Sequence, residues 1–117
     1  MRAERRNLQR RKCNYYLKVL DDTTHKVVGY FADLSPQGFR VESPQMIAVG
    51  QDYRLHVDLA GDFSESASIA FVARSCWLRE DIVDPSLTDA GFQIINISTH
   101  DNEIFQRVVE KYGSDSV

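Results

Sequence analysis

The sequence has few of the residues that build metal centres, disulfide scaffolds or membrane spans. Two cysteines and three histidines in 117 residues are too few, and too widely separated, for a disulfide framework or a zinc site. No apolar run approaches the roughly 20 residues of a membrane-spanning helix, and the charged start, Met1 to Arg6, has no apolar stretch behind it as a secretion signal would. We therefore expect a cytoplasmic protein without membrane insertion or bound metal, whose Cys13 and Cys76 are buried, reduced thiols.

Positive charge is scarce over most of the chain and concentrated at one end. The net charge is −3, yet residues 1–12 hold six basic side chains and one acidic one, which leaves −8 on residues 13–117. Such an acidic body would repel a phosphate backbone wherever the basic segment does not reach. The pattern argues against a general nucleic-acid-binding protein and favours a local anion site. We expect residues 1–12 to form a flexible basic arm and residues 13–113 to form one domain, a size that can bury its own core.

The spacing of apolar residues predicts mostly strands. Polar turn residues separate the strand-like segments, and residues 21–25 predict a hairpin between the first two. Near the end, residues 101–112 place apolar side chains at helical spacing, with Ser98 or Thr99 available as N-cap and Gly113 as terminator. Six short strands and one late helix favour a six-stranded antiparallel β-barrel with a C-terminal α-helix, since a parallel α/β fold needs helices between its strands. The expected strands cover residues 13–20, 26–32, 39–42, 53–59, 67–78 and 90–97.

The first candidate motif is the arginine pair Arg6 and Arg10 in the basic arm, with Arg5 directly before it. A guanidinium group can hold a phosphate through two parallel hydrogen bonds and can also stack its flat face on a purine. Taken alone, the cluster also describes a solvated basic tail that binds nothing in particular.

The second candidate motif runs from Asp33 through Ser35 to Gly38, in the sequence Asp-Leu-Ser-Pro-Gln-Gly. A carboxylate only accepts hydrogen bonds, so Asp33 matches the adjacent N1–H and N2–H donors of guanine, while the Ser35 hydroxyl can donate or accept. Gly38 would permit a tight turn or a close backbone approach. Taken alone, this hexapeptide also describes an ordinary turn, but with the arginine pair it predicts a pocket for an anionic, guanine-like ligand.

With both motifs in place, the sequence resembles the PilZ family of bacterial receptors for cyclic diguanylate (cyclic di-GMP), which combines an Arg-x-x-x-Arg arm with an Asp/Asn-x-Ser-x-x-Gly turn. The resemblance covers roughly residues 4 to 110 and includes the segments 38–41, 47–50 and 90–94. It implies a six-stranded barrel with a C-terminal helix, no catalysis, no cofactor, and a ligand held where the arm folds over the barrel.

The resemblance also implies roles for individual residues. Arg6 and Arg10 would grip phosphates and stack on guanines, Asp33 and Ser35 would contact a guanine and its surroundings, and Gly38 would shape the turn. In similar proteins a basic residue at the place of Arg5 accompanies a self-intercalated ligand dimer.

The resulting hypothesis is a cyclic di-GMP receptor that works as an adaptor: the ligand orders the arm over the barrel and alters contact with an unidentified downstream protein. The alternative is a small-barrel nucleic-acid or polyanion binder, which predicts steep salt dependence and little preference for guanine. A ligand-free interaction domain is a third reading. An enzyme is the least expected, because Ser35 has no histidine nearby in sequence and the loop carboxylates Asp81, Asp84 and Asp89 are expected to be solvated.

Overall fold

The computed structural model describes residues 17–59 and 68–112. The arm with Arg5, Arg6 and Arg10, and also Cys13, lies outside these ranges. The described chain forms β1 (Lys18–Asp21), β2 (Val27–Ser35), β3 (Gly38–Ser43), β4 (Asp52–Asp58), β5 (Ser68–Glu80), β6 (Thr88–Ile97) and the helix α1 (Thr99–Tyr112).

The six strands close into an antiparallel barrel in the order β1-β2-β3-β6-β5-β4. β4 pairs with β1 as well as with β5, so closure leaves no unpaired edge strand in this sheet. The predicted barrel with a C-terminal helix is thereby confirmed, as is the hairpin between β1 and β2. Within the described ranges, the helix is neither long nor apolar enough to cross a bilayer.

The core lies inside the barrel and under α1. Along β4, Leu55 and Val57 are fully buried, as the period-two pattern predicts, and Leu59 directly after the strand is buried too. The predicted helix face is also buried, and Phe105 packs edge-to-face on Phe71 of β5. The helix begins two residues earlier than predicted, and the Ser98 hydroxyl oxygen accepts the Asp101 N–H at 3.0 Å as the expected N-cap.

Of the four register shifts in the barrel, those at Ala32 and Cys76 decide which side chains face outward at the end of β2 and in the second half of β5. In β2 the pairing with β3 skips Ala32, so Phe31 opposes Val41 whereas Asp33 opposes Arg40. Strict alternation would send Asp33 to the core with Phe31; the extra residue places it on the outer face instead. The same happens in β5, where the register shifts between Ser75 and Trp77.

β2 extends three residues further than predicted. Asp33 and Ser35 belong to this strand, and the connection to β3 is only Pro36 and Gln37. The two-residue turn lets pairing continue to Ser35 and Gly38, the last opposed pair of the hairpin.

Candidate functional site

A groove of about 390 Å³ lies on the outer face of the barrel, across β2, β3, β5 and β6. This volume is within the usual range for small-molecule pockets. The groove brings together three predicted site residues, Asp33, Ser35 and Gly38, whereas the predicted arginines of the arm are outside the described ranges. Its other outward-facing lining residues, which the motif search did not select, are Gln37, Arg40, Cys76, Trp77, Gly91 and Gln93.

The groove follows two rows of directly opposed residues across these four strands. One row runs Asp33, Arg40, Gly91, Trp77, and the next runs Ser35, Gly38, Gln93, Arg74. Each row has a glycine at an inner position. Because a glycine adds no side chain above the sheet, Gly91 lets the indole of Trp77 lie directly on its strand, and Gly38 lets β3 approach β6 closely.

Gly38 is required by close packing and not by its backbone conformation. A Cβ atom at this position would overlap the carbonyl oxygen of Phe92 on β6. Among the described glycines, Gly50 is the one with a positive φ, at 81°. A side chain at position 38 would therefore push β3 away from β6 and open the floor of the groove.

The turn between β2 and β3 is held from three sides. The Ser35 hydroxyl donates to the Gly38 carbonyl at 3.2 Å across the hairpin. The Gln37 carbonyl accepts the Ile94 N–H of β6 at 3.0 Å, and the Gln106 side chain of α1 donates to the Pro36 carbonyl at 2.9 Å. The residues of the predicted motif are thus fixed relative to both the sheet and the helix.

Asp33 forms an ion pair with Arg40, the residue directly opposite on β3. Arg40 Nε donates to Asp33 Oδ2 at 2.8 Å, and each side chain is 11% exposed. The ion pair is therefore largely shielded from water, and Asp33 has a defined orientation at the groove.

Arg40 is shared among several carboxylates. Its Nη1 lies 3.0 Å from Asp89 Oδ2 and 3.9 Å from the Glu42 carboxylate. Burial by itself would lower the pKa of Arg40, but the hydrogen bond that Arg40 donates to Asp33 and the charges of Asp33, Asp89 and Glu42 raise this pKa above its ordinary value. Arg40 is accordingly a fixed cation within an acidic network.

Behind Arg40, Asp81 and Asp89 form a buried carboxyl pair. Burial and the neighbouring Asp81 raise the pKa of Asp89 to about 6. Two backbone N–H groups, those of Asp84 and Val83, donate to Asp81 Oδ1 at 2.9 Å each, and these bonds lower the pKa of Asp81. The expectation that both carboxylates are solvated is wrong, because β6 begins at Thr88 and carries Asp89 into the sheet.

The same carboxyl pair and Glu42 lie within 4.8 Å of one another. Such a cluster of oxygen atoms could hold a cation. However, Arg40 and Arg79 approach Asp89 Oδ2 at 3.0 and 3.5 Å. Because the two guanidinium groups already supply positive charge, we interpret the cluster as an ion-pair network.

Trp77 forms the opposite wall of the groove. Its indole ring covers Gly91 so closely that a Cβ atom there would overlap the ring, and the Arg79 guanidinium carbon lies 5.1 Å from the ring centroid. The residue is 38% exposed. An exposed, supported indole in the same groove as the Asp33 carboxylate is suited to stacking on a planar base.

The structure also corrects the expectation for Cys76. It was expected to be a buried thiol, but it is free and exposed and lines the groove beside Trp77. Alternation along β5 explains the difference, because Ala73 and Ser75 are buried and Cys76 therefore falls on the outer face. The bulge after Ser75 then keeps Trp77 on the outer face as well.

Comparison with known proteins identifies a family and a related fold. The family model described as "PilZ domain" matches residues 4–111. No curated protein matches the chain. Among solved structures, the Bacillus subtilis inhibitor of motility (MotI/DgrA) superimposes with a TM-score of 0.60 at 13% identity, over 82% of this chain and 46% of that one. The chain thus spans about half the length of that protein, and the likeness concerns the fold.

Proposed function

The chain belongs to the PilZ domain family, and on this premise we propose that it is a receptor for cyclic di-GMP that acts as an adaptor in the cytoplasm. PilZ domains form a family of cyclic di-GMP receptors that work by binding. The observation that carries the proposal is the groove, in which Asp33, Ser35 and Gly38 share one surface with Trp77. No catalysis, metal or cofactor forms part of the proposal.

One guanine of the ligand would be recognised by this groove. The Asp33 carboxylate accepts the N1–H and N2–H groups of the base, and Ser35 contacts its surroundings. The base stacks on the exposed indole of Trp77, which lies in the same row of opposed residues as Asp33. Gly38 keeps the floor of the groove close to β6.

The phosphates require cations that the described groove does not provide, because Arg40, its lining arginine, is engaged by carboxylates. We assign this role to Arg6 and Arg10, with Arg5 serving a second ligand molecule. The Leu17 carbonyl accepts the Phe31 N–H of β2 at 3.1 Å, two residues from Asp33. Leu17 is the seventh residue after Arg10, and a chain of this length can span up to roughly 25 Å, enough to reach the groove.

Binding would then produce a signal by neutralising the arm and ordering it over the acidic barrel. This changes both the shape and the charge of the surface that a downstream protein meets. The partner is unidentified, and a pull-down with and without cyclic di-GMP is the direct way to find it.

Calorimetric titration with cyclic di-GMP tests the proposal. We expect binding at micromolar ligand, strongly weakened by Arg6→Ala and by Asp33→Ala and little changed by Arg2→Ala, the control within the same arm. Absence of heat at tens of micromolar ligand, from folded protein at moderate salt, would contradict it. Steep salt dependence without a requirement for Asp33 or guanine would favour the polyanion-binding alternative.

A further inference from the structure

We propose that Arg40 is a specificity-determining residue, which holds the Asp33 carboxylate in the orientation that reads the 2-amino group of guanine. The inference rests on the proposed function of the groove. Arg40 acts through Asp33 and is therefore a positioning residue, not a ligand for phosphate.

The guanidinium group of Arg40 is held on two sides. Nε donates to Asp33 on β2, and Nη1 forms an ion pair with Asp89 on β6, 3.0 Å from Oδ2. A guanidinium group is planar and its donors are fixed relative to one another. Because the ion pair with Asp89 holds one edge of the guanidinium group, the direction in which its Nε–H points toward Asp33 is fixed as well.

Asp89 is a rigid anchor for this arrangement. It is 2% exposed and belongs to the sheet, where it opposes Glu42, two residues along β3 from Arg40. Such diagonal neighbours on one face are within reach of a long side chain. The chain of contacts from Asp89 through Arg40 to Asp33 thus crosses three adjacent strands and ends at the groove.

The bond from Arg40 does not by itself exhaust the Asp33 carboxylate. A carboxylate offers about four acceptor sites, and the Nε–H of Arg40 approaches Oδ2. Guanine presents N1–H and N2–H side by side. Both groups can donate to Asp33 only when the carboxylate lies in the plane of the base and turns its oxygens toward the base edge. Hypoxanthine lacks the 2-amino group and loses one of the two bonds, which makes it a probe of this orientation.

Phosphate binding is the role that the geometry disfavours for Arg40. Its guanidinium already meets Asp33 and Asp89 and lies near Glu42, so a phosphate would enter beside several carboxylates. A residue fixed in this way contributes to the choice of base more than to the attraction of the anion.

The test compares the dissociation constants of cyclic di-GMP and of cyclic di-inosine monophosphate, which differ only by the 2-amino groups. We expect the wild type to favour cyclic di-GMP by about tenfold or more, as one charge-assisted hydrogen bond allows. Arg40→Gln should lower this ratio at least about threefold. The control is Arg54→Gln, the same change at an exposed position of β4 outside the groove. It should leave the ratio unchanged.

A double-mutant cycle shows whether Arg40 acts through Asp33. In an Asp33→Ala background, Arg40→Gln should have no further effect on the ratio. Arg40→Lys keeps the charge but not the planar fork, so we expect an intermediate ratio; this variant decides the question if Arg40→Gln does not fold.

The outcomes distinguish a failure of the proposed function from a failure of the inference about Arg40. A wild type that does not bind cyclic di-GMP overturns the proposed function together with this inference. A wild type that binds, with Arg40 variants that weaken both ligands equally, overturns the inference alone and assigns Arg40 to phosphate. An Arg40 effect that persists without Asp33 overturns it as well.

Discussion

Two aspartate–arginine pairs in this barrel have the same local geometry and different surroundings. Asp33 with Arg40 and Asp52 with Arg74 are both directly opposed residues of antiparallel neighbours. In each pair Nε donates to a carboxylate oxygen, at 2.8 and 2.7 Å respectively. The side chains of the first pair are each 11% exposed, whereas Arg74 and Asp52 are 50% and 45% exposed.

The more complete hydrogen bonding belongs to the exposed pair. Arg74 is bidentate, with Nη2 also donating to Asp52 at 3.2 Å, yet water and salt screen it. Arg40 makes a single bond to Asp33 but also neutralises Asp89, which is almost fully buried. The comparison teaches that burial and shared partners, more than the geometry of the pair, decide what such a contact contributes.

The largest expected effect breaks the buried network. Arg40→Leu would remove the buried guanidinium group that Asp33 and Asp89 share, and we expect the free energy of unfolding to fall by about 3 kcal/mol. Urea denaturation at pH 7 measures it. Arg74→Leu is the matched control and should shift the urea midpoint little; equal losses in the two variants would contradict the distinction.

A second change disturbs the groove wall and leaves all charges in place. Gly91→Ala should displace the Trp77 ring and lower the free energy of unfolding by about 1–3 kcal/mol, as overpacking does. Trp77 is the sole tryptophan, so its emission should shift to longer wavelength as the indole becomes wetter.

The control for this change is Gly50→Ala. Gly50 has a positive φ and open space around it, so alanine should destabilise through backbone strain. The emission of Trp77 should not move. A shifted emission in Gly50→Ala but not in Gly91→Ala would show that Trp77 does not lie on Gly91.

A third prediction concerns pH. Because the pKa of Asp89 is raised to about 6 in the fold, the folded state binds more protons than the unfolded chain between about pH 4 and 6. The contribution of Asp89 to the free energy of unfolding therefore decreases as the pH rises through this window. Asp89→Asn should remove that decrease, measured as the difference in unfolding free energy between pH 4.5 and 7.

The exposed pair supplies the control for pH. The hydrogen bond from Arg74 lowers the pKa of Asp52, so its contribution is present above the ordinary aspartate pKa and is lost only at more acidic pH. Asp52→Asn should thus leave the difference between pH 4.5 and 7 nearly unchanged. A similar flattening in both variants would show that Asp89 is not the responsible group.

The smallest expected effect concerns the exposed pair itself. A double-mutant cycle on Asp52 and Arg74 should give a small coupling at low salt that vanishes in 0.5 M NaCl, where the Debye length is a few ångströms. The corresponding cycle on Asp33 and Arg40 should retain its coupling. Loss of both couplings in salt would place the two pairs in the same class.

Alternation and helical spacing predicted most of the fold, because they report directly which face of an element is buried. The dry face of β4 and the buried face of α1 were both recognised in this way. The bulges were not recognised, because a single extra residue such as Ala32 or Cys76 leaves the composition of a strand typical. The burial of Asp89 was missed because its neighbours read as a polar loop.

For the site, the motif residues Asp33, Ser35 and Gly38 line one groove, and their role in binding stays a prediction. Arg40 was missed, although counting outward from a two-residue turn pairs Ser35 with Gly38 and, two positions further, Asp33 with Arg40. Trp77 required the register of β5 against β6, a long-range pairing that no local pattern encodes. The roles of Arg5, Arg6 and Arg10 stay predictions.

The bulge at Ala32 decides which side chains at the end of β2 face the groove. A deletion of this one alanine would remove a small apolar side chain and no charge. Yet it would exchange the two sides of the strand from there to the turn, turning Asp33 inward and Leu34 outward. The number of residues in the strand therefore decides which side chains face outward. The same amino acids, shifted by one position, would form a different surface.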